Sequence, residues 1–423
     1  MNLLRTELDT AEIPELYLRF ANVIDDKHWK NRVSLLKSAI RGNRFLKDYL
    51  HAENSIAFAL DRCRDIVAKN GDIAQAETDN QELYPTIGFV VQVLSMMDIS
   101  SRVEAERIRR RVHGALNNPD DMRALRLELI AATHFARRGH KIVWPEMCGL
   151  GTFDLLVESL GSAGLEIECK SISDDKGRKV HRHEVLEFYN LLWPHLAQTR
   201  KTLNVGLSVV LTVPGRLPTQ HKDRVALAKN ISRQILNGQS AKLDDGSYIR
   251  VSEFDASDLS HLVSNKRPRM ARDAIDNLTK TQNREAMIIG TEAGGALMLT
   301  VQSAAPDTLL DSVFDILSSA AKKQVTGTRP AILFVGFHGL HAEQLLSIAH
   351  QDNDSTQQPT ALHPGINKFL SGPNRDHVVG VGFLSRSALL PVSHSSLDSG
   401  GSAYFFPKRE SSHWHDDFSG LFS

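Results

Sequence analysis

The chain is short of several things, and each shortage removes a class of function. Only three cysteines occur in 423 residues, and Cys63, Cys148 and Cys169 are far apart and form no CxxC spacing. A disulfide framework or a structural zinc finger is therefore not expected, and a reducing, cytoplasmic setting is. Charge of one sign is not in excess. Fifty Lys and Arg balance fifty Asp and Glu, so no global field draws the chain to nucleic acid or to an anionic membrane, and binding of either kind needs a local patch. No run of 18 apolar residues exists, and no spanning helix is expected. The first twenty residues are punctuated by acids and lack the apolar segment of a secretory signal. Gly290–Gly295 is not followed by the Lys-Ser/Thr of a P-loop.

What is present is enough for a folded protein. With 41% hydrophobic and 24% charged residues, the composition lies outside the disordered regime and supports two or three domains with a sizeable core. Gly and Pro are sparse through residue 118. Apolar residues recur there at helical spacing, as in Leu35–Leu36–Ile40–Phe45–Leu50 and Ile56–Phe58–Leu60–Cys63–Ile66, so residues 1–118 are predicted to be helical. Asn118-Pro119-Asp120-Asp121 then reads as a helix start, with a capping Asn, Pro in the first turn and acids at the positive end of the dipole. Leu125, Leu129, Ala132 and Ala136 form one stripe of this helix, and Gly139 stops it.

The period then changes. Lys141–Trp144, Thr152–Glu158 and Leu165–Ser171 are strand candidates, the last two joined by Gly161-Ser162-Ala163-Gly164. A charged loop over 174–182 leads to a helix bearing Val185, Phe188, Tyr189, Leu192 and Leu196, and then to the alternating strand Val205–Val213. Helix, three strands, helix and strand make an α/β domain. Further on, a helix over His221–Leu236, a turn at Asp244-Asp245-Gly246, a basic loop over Asn265–Arg272 and a second α/β stretch are expected. The segment after Pro391, rich in Ser, Gly and His, is expected to be only partly ordered.

The chemistry concentrates in Leu165-Glu166-Ile167-Glu168-Cys169-Lys170. Alternation puts Glu166, Glu168 and Lys170 on one face of a strand and Leu165, Ile167 and Cys169 on the other. Asp154 points away from the apolar face of Phe153, Leu155 and Val157. If the two strands form a hairpin, Asp154 and Glu168 approach each other with Lys170 beside them. Glu128 borders the apolar stripe of the capped helix. Carboxylate oxygens are natural ligands of Mg²⁺, and a nearby Lys can orient a water or steady developing negative charge. An isolated ExK more often marks the solvated face of a strand, but the upstream Asp154 and Glu128 weigh against that reading.

Glu128 in a helix, Phe153-Asp154-Leu155-Leu156-Val157 and Ile167-Glu168-Cys169-Lys170 together resemble the core motif of the PD-(D/E)xK nucleases, with Phe153 in the place of the motif's Pro. The resemblance covers residues 119–213 and implies a restriction-endonuclease-like core. It implies that Asp154 and Glu168 bind Mg²⁺ (or Mn²⁺), that Lys170 assists the attacking water and that Glu128 supports the metal. Lys176, Arg178, Lys179 and Arg182 follow the ExK strand and suit phosphate contacts; Arg107–Arg111 and Lys266-Arg267-Pro268-Arg269 are two further basic clusters. The expected division is a helical region 1–118, a nuclease-like core 119–255, an α/β extension 256–390 and a polar tail 391–423.

The leading expectation is a Mg²⁺-dependent nuclease acting on DNA, with a homodimer favoured if both strands of a duplex are cut. One alternative keeps the fold without cleavage, as a nucleic-acid-binding or scaffold module; another is a hydrolase of smaller phosphate esters. His413-Trp414-His415-Asp416-Asp417 has metal-ligand letters but no second ligand cluster, and Cys169 falls on a core face.

Overall fold

The computed structural model describes residues 7–71, 73, 83–173, 175–255, 275–277, 279, 284–338, 340, 342–385, 389–391, 396–399 and 402–421. It divides into two compact units: Met1–Lys37, His51–Lys176 and Leu310–Ser423 form the first, and Ser38–Leu50 with Gly177–Leu309 the second.

The N-terminal region is helical as the periodicity predicts, with α1 (Ile13–Ile24), α2 (Lys27–Gly42), α3 (Lys47–Glu53), α4 (Ser55–Asn70), α5 (Tyr84–Ile99) and α6 (Arg102–Asn117). One short strand departs from that expectation. β1 (Glu7–Asp9) pairs antiparallel with Ser396–Asp398 near the other end of the chain, and three residues are too few to show a period of two. A capping box starts α6: Ser101 Oγ accepts from the Glu104 N–H, and Glu104 Oε2 accepts from the Ser101 N–H at 2.8 Å. The next helix, α7 (Pro119–Ala136), begins where the sequence places it, with Asn118 Oδ1 accepting from the Asp120 N–H at 3.0 Å. Its stripe Leu125, Leu129, Ala132 and Ala136 is buried.

Three strands follow as an antiparallel meander: β2 (Ile142–Val143), β3 (Leu155–Val157) and β4 (Leu165–Ile172), with the single-turn helix α8 (Pro145–Cys148) after β2. Gly161 and Gly164, at φ of +66° and +80°, supply the turn between β3 and β4.

Sequence order suggests that the next helix and strand complete this sheet, and they do not. The second unit contains α9 (Arg182–Leu192), α10 (Ala197–Thr202), β5 (Gly206–Val213), α11 (His221–Asn237), β6 (Ala241–Lys242), β7 (Tyr248–Phe254), β8 (Glu285–Gly290) and β9 (Ala296–Ser303). Its mixed sheet runs β6-β7-β5-β9-β8, with β5 central and parallel to β9. Val185, Phe188, Tyr189 and Leu192 of α9 pack with Leu207, Val209, Leu211 and Val213 of β5. The Asp244–Gly246 turn joins β6 to β7, Asp245 Oδ1 accepting from the Ser247 N–H. The basic loop Asn265–Arg272, with Lys266-Arg267-Pro268-Arg269, lies outside the described residues. Where the chain enters and leaves this unit its ends are tied together: the Thr308 N–H donates to Gly177 O at 2.9 Å and the Lys179 N–H to Asp307 Oδ1 at 2.8 Å. Adjacent ends let a domain interrupt a connection without pulling apart the elements on either side.

The first unit then resumes with α12 (Leu309–Lys323), β10 (Ala331–Phe337), α13 (Ala342–Asn353), α14 (Leu362–Leu370), β11 (Val378–Leu384), β12 (Leu389–Pro391), β13 (Ser396–Ser399) and β14 (Ala403–Pro407). Its mixed sheet runs β14-β11-β10-β4-β3-β2, with β10 parallel to both β4 and β11. The expected boundaries at 118, 255 and 390 are thus cut across. The third of the chain read as an extension supplies two of the six strands, β10 and β11, in the sheet that contains β4. The segment read as a partly ordered tail contributes the edge strand β14 and buries Phe418 and Leu421. A small antiparallel sheet, β1-β13-β12, completes the first unit. The protein is α/β, with two mixed sheets flanked by helices, and among its described residues no helix is long and apolar enough to cross a membrane.

Both faces of β4 are covered. Leu165, Ile167 and Cys169 pack in one cluster with Leu125, Leu129 and Ala132 of α7. On the other face Ile172 joins Leu333 and Val335 of β10 and Val313, Leu317 and Ala320 of α12. Glu166, fully buried on this second face, accepts from the Thr326 N–H at 2.8 Å and the Thr326 hydroxyl at 2.6 Å, and Arg329 lies 3.6 Å away. That carboxylate fixes the turn between α12 and β10. Glu166→Ala removes both charge-assisted hydrogen bonds to the exposed Thr326 and should cost about 2 kcal/mol. Glu158→Ala, which breaks the exposed pair with Lys141, should cost about 0.5 kcal/mol or less. Urea unfolding of the two variants measures the difference, and equal losses would show that Glu166 does not organise the turn.

Candidate active site

Asp154 sits one residue before β3, and β3 pairs with β4 in the register Leu155↔Ile167, Leu156↔Glu166 and Val157↔Leu165. Continued by one residue, that register sets Asp154 opposite Glu168. The hairpin condition posed from the sequence is met. Asp154 Oδ2 accepts from the Cys169 N–H at 2.7 Å, and the Lys170 ammonium donates to Glu168 Oε1 at 2.5 Å. Glu168 is 1% exposed and its Oε2 has no hydrogen-bond partner. Burial, then the negative charge of Asp154, pushes the Glu168 carboxyl up to about 7, with Lys170 pulling against them. Burial raises Asp154 as well, opposed by the Cys169 N–H and by the charges of Lys170 and Arg111.

Glu128 is positioned differently. It projects from α7, the helix packed on the Leu165, Ile167 and Cys169 face, whereas Glu168 and Lys170 alternate to the opposite face. Only 2% exposed, Glu128 hydrogen-bonds to the guanidinium of Arg111, and its Oε2 has no partner. Burial and the charge of Asp154 raise its pKa, and Arg111 opposes them. Arg111 Nη1 also lies 3.7 Å from Glu146 Oε2. Sequence reasoning reads Arg111 only as part of a basic cluster and passes over Glu146. The basic run from Arg107 to Arg111 looks uniform, yet Arg109 and Arg110 pair with Glu106 on the surface while Arg111 alone of these three turns inward.

Among the described residues no three His, Cys, Asp or Glu side chains are grouped so as to hold a metal ion, so the three-carboxylate set expected from the sequence is not assembled. Asp154 and Glu168 do fit a divalent cation as a pair. Mg²⁺ is commonly held by one or two carboxylates, with water and phosphate completing its shell, and the buried, unpartnered Glu168 Oε2 beside Asp154 is a donor that such an ion would satisfy.

The basic residues after β4 are only partly available. In the second unit Arg178 pairs with Glu285 at 2.9 Å, and Arg182 lies 3.8 Å from the same carboxylate. Lys179 is half-buried, and Lys176, in the first unit, is exposed. In the C-terminal His/Asp run, His415 lies 3.2 Å from Asp417. Cys169 is buried in the core, as its strand position requires. Comparison with family models, curated proteins and solved structures found no match to this chain.

The raised Glu168 carboxyl gives a signed prediction. An unfolded Glu titrates near about 4.3, and the folded one near about 7. Between those values the folded state keeps a proton that the unfolded state has lost, so Glu168 makes stability fall as pH rises. Without metal, Glu168→Gln should be more stable than the parent at about pH 8 and closer to it at about pH 5. Urea unfolding in EDTA tests this, and a variant less stable at the higher pH would show that the Lys170 pair outweighs burial.

Proposed function

We propose that the chain is a metal-dependent nuclease of the PD-(D/E)xK type that hydrolyses DNA phosphodiester bonds. The observation that carries this reading is the placement of Asp154 opposite Glu168, with Lys170 hydrogen-bonded to Glu168. Sheet topology supports it: α7, β2, β3, β4, α12 and β10 run helix–strand–strand–strand–helix–strand, with β10 parallel to β4. That order resembles the restriction-endonuclease-like core once the second unit is taken as an insertion between β4 and α12.

Asp154 and Glu168 are the residues that would hold Mg²⁺. Bound there, the ion supplies a Lewis acid for phosphodiester oxygens and favours hydroxide over water. Lys170, its ammonium anchored on Glu168 Oε1, has further N–H donors for a water or a phosphate oxygen, a fixed positive charge where negative charge develops. The Cys169 N–H holds the Asp154 carboxylate at the strand end, and burial excludes competing water. Glu128, tied to Arg111, shapes the field at Asp154 from the other face of the sheet.

Conversion of supercoiled plasmid to nicked circles should require Mg²⁺ and stop in EDTA. Asp154→Ala and Glu168→Ala should abolish it, and Lys170→Ala should slow it by about 100- to 1,000-fold while plasmid affinity changes little. Binding without cleavage under any divalent ion would instead identify a nucleic-acid-binding module.

Phosphate contacts give a separate readout. Lys176→Ala should reduce the slope of log affinity against log salt by about 0.9. Arg178→Ala should change it less, because Glu285 already takes up that charge. Equal effects in a titration at several salt concentrations would show that the Glu285 pair opens on binding.

A further inference from the structure

We infer that the second unit grips the phosphate backbone of duplex DNA through two arginines, Arg44 and Arg200, stacked on one indole, Trp193. The inference rests on the nuclease reading proposed above and names the surface that would hold its substrate.

The neutral sequence hides a division of charge. Of the fifty Lys and Arg and the fifty Asp and Glu, 21 and 14 fall in the second unit, which carries +7; the first, with 29 and 36, carries −7. A field that the whole chain lacks therefore exists on one unit. Within that unit the guanidinium carbon of Arg44 lies 3.8 Å from the centre of the Trp193 ring, and that of Arg200 lies 3.9 Å from it. Local packing holds this platform. Asn43 Nδ2 donates to Leu186 O at 3.2 Å, Asn43 Oδ1 accepts from the Phe45 N–H at 3.0 Å, and the Phe45 ring meets Trp193 edge-on at 5.5 Å.

An indole attracts one cation, but two on the same ring repel each other, and here no acid compensates. Among the described residues neither guanidinium has a carboxylate in ion-pair range, and Arg200 Nε is buried without a partner. Other arginines of the unit are already committed: Arg178 to Glu285, Arg224 to Glu187 and Arg284 to Asp276. Stacking occupies the flat face of a guanidinium and leaves its N–H edge for a bidentate contact with phosphate. Two guanidiniums this close to one ring leave it no open face for a base, which favours the backbone of a duplex over a stacked single strand. Arg41, Lys47 and Lys201 are exposed in the same two segments, 38–50 and 193–202, against a single acid, Asp48.

The test is binding of a short fluorescein-labelled DNA duplex to the intact chain in EDTA, read by anisotropy at several salt concentrations. The double variant Arg44→Gln, Arg200→Gln should bind more weakly and lower the slope of log affinity against log salt by about 1.8. The double variant Lys30→Gln, Lys69→Gln removes the same charge from exposed lysines of the first unit and should leave the slope nearly unchanged. Equal effects of the two pairs, or an arginine variant that keeps the parent slope, overturn the inference. So does displacement of the duplex by polyglutamate at equal charge concentration, which would mark a surface for an acidic protein. If the arginine double variant does not fold by circular dichroism, Arg44→Gln alone takes its place. Arg44 is exposed; its loss should lower the slope by about 0.9, and an unchanged slope overturns the inference. Mg²⁺-dependent nicking of plasmid by the parent tests the nuclease reading separately. A parent that binds through the two arginines and never nicks overturns that reading and leaves the grip, whereas a parent that neither binds nor nicks DNA overturns both.

Discussion

The pairing of β4 with β10 is the contact on which the first unit depends. Seven residues of each strand run in parallel register, from Glu166↔Ala331 to Ile172↔Phe337, and they make β4 an interior strand. Without β10, one edge of β4 would be open to water and the face carrying Glu166, Glu168 and Lys170 would have no α12 over it. With β10 in place, Glu166 and Glu168 are almost wholly buried. Parallel strands need a crossover, and here the crossover contains the Gly177–Leu309 part of the second unit followed by α12. Its ends are held by the Gly177–Thr308 and Lys179–Asp307 hydrogen bonds, which keeps the connection short in space although it is long in sequence.

Burial by that pairing determines the electrostatics. Two charges at 4 Å interact by about 1 kcal/mol in water and by about 4 kcal/mol at the effective dielectric of a protein. An exposed pair such as Lys141–Glu158 therefore contributes little, whereas every charge around Asp154 matters. Desolvation is the leading cause of the raised pKa of Asp154, Glu128 and Glu168 alike. Lys170 and Arg111 oppose it from two sides. Where the acid has ample hydrogen bonds the balance reverses: burial also works against Glu53, yet hydrogen bonds from His338 and Arg123 hold it down at about 2. The carboxylates near Asp154 lack that support, as the unpartnered oxygens of Glu128 and Glu168 show. A protein that leaves such groups in its interior carries a cost in stability that a bound cation would offset.

The sequence by itself determined the local elements and the pairing of two acids. The α7 cap at Asn118 was legible because capping is satisfied within a few residues. The β3–β4 hairpin was legible because two glycines at positive φ connect short strands of clear alternation, and alternation alone separated Glu168 and Lys170 from Cys169. Tertiary structure alone decided the rest. Alternation in Val205–Val213 reports a strand with an apolar face but not which sheet it joins, so β5 was misplaced and β10 overlooked as the neighbour of β4. Glu166 read only as a face-mate of Glu168, because the threonine it binds is 160 residues away. Tyr404 and Phe406 of β14 were lost in a segment of Ser, Gly and His, since five residues give too little pattern against a polar background. Glu128 was rightly placed at the edge of a buried stripe. That it answers to Arg111 and not to Glu168 depends on which face of the sheet α7 covers, and no spacing along the chain encodes that, because it is set by packing between elements distant in sequence.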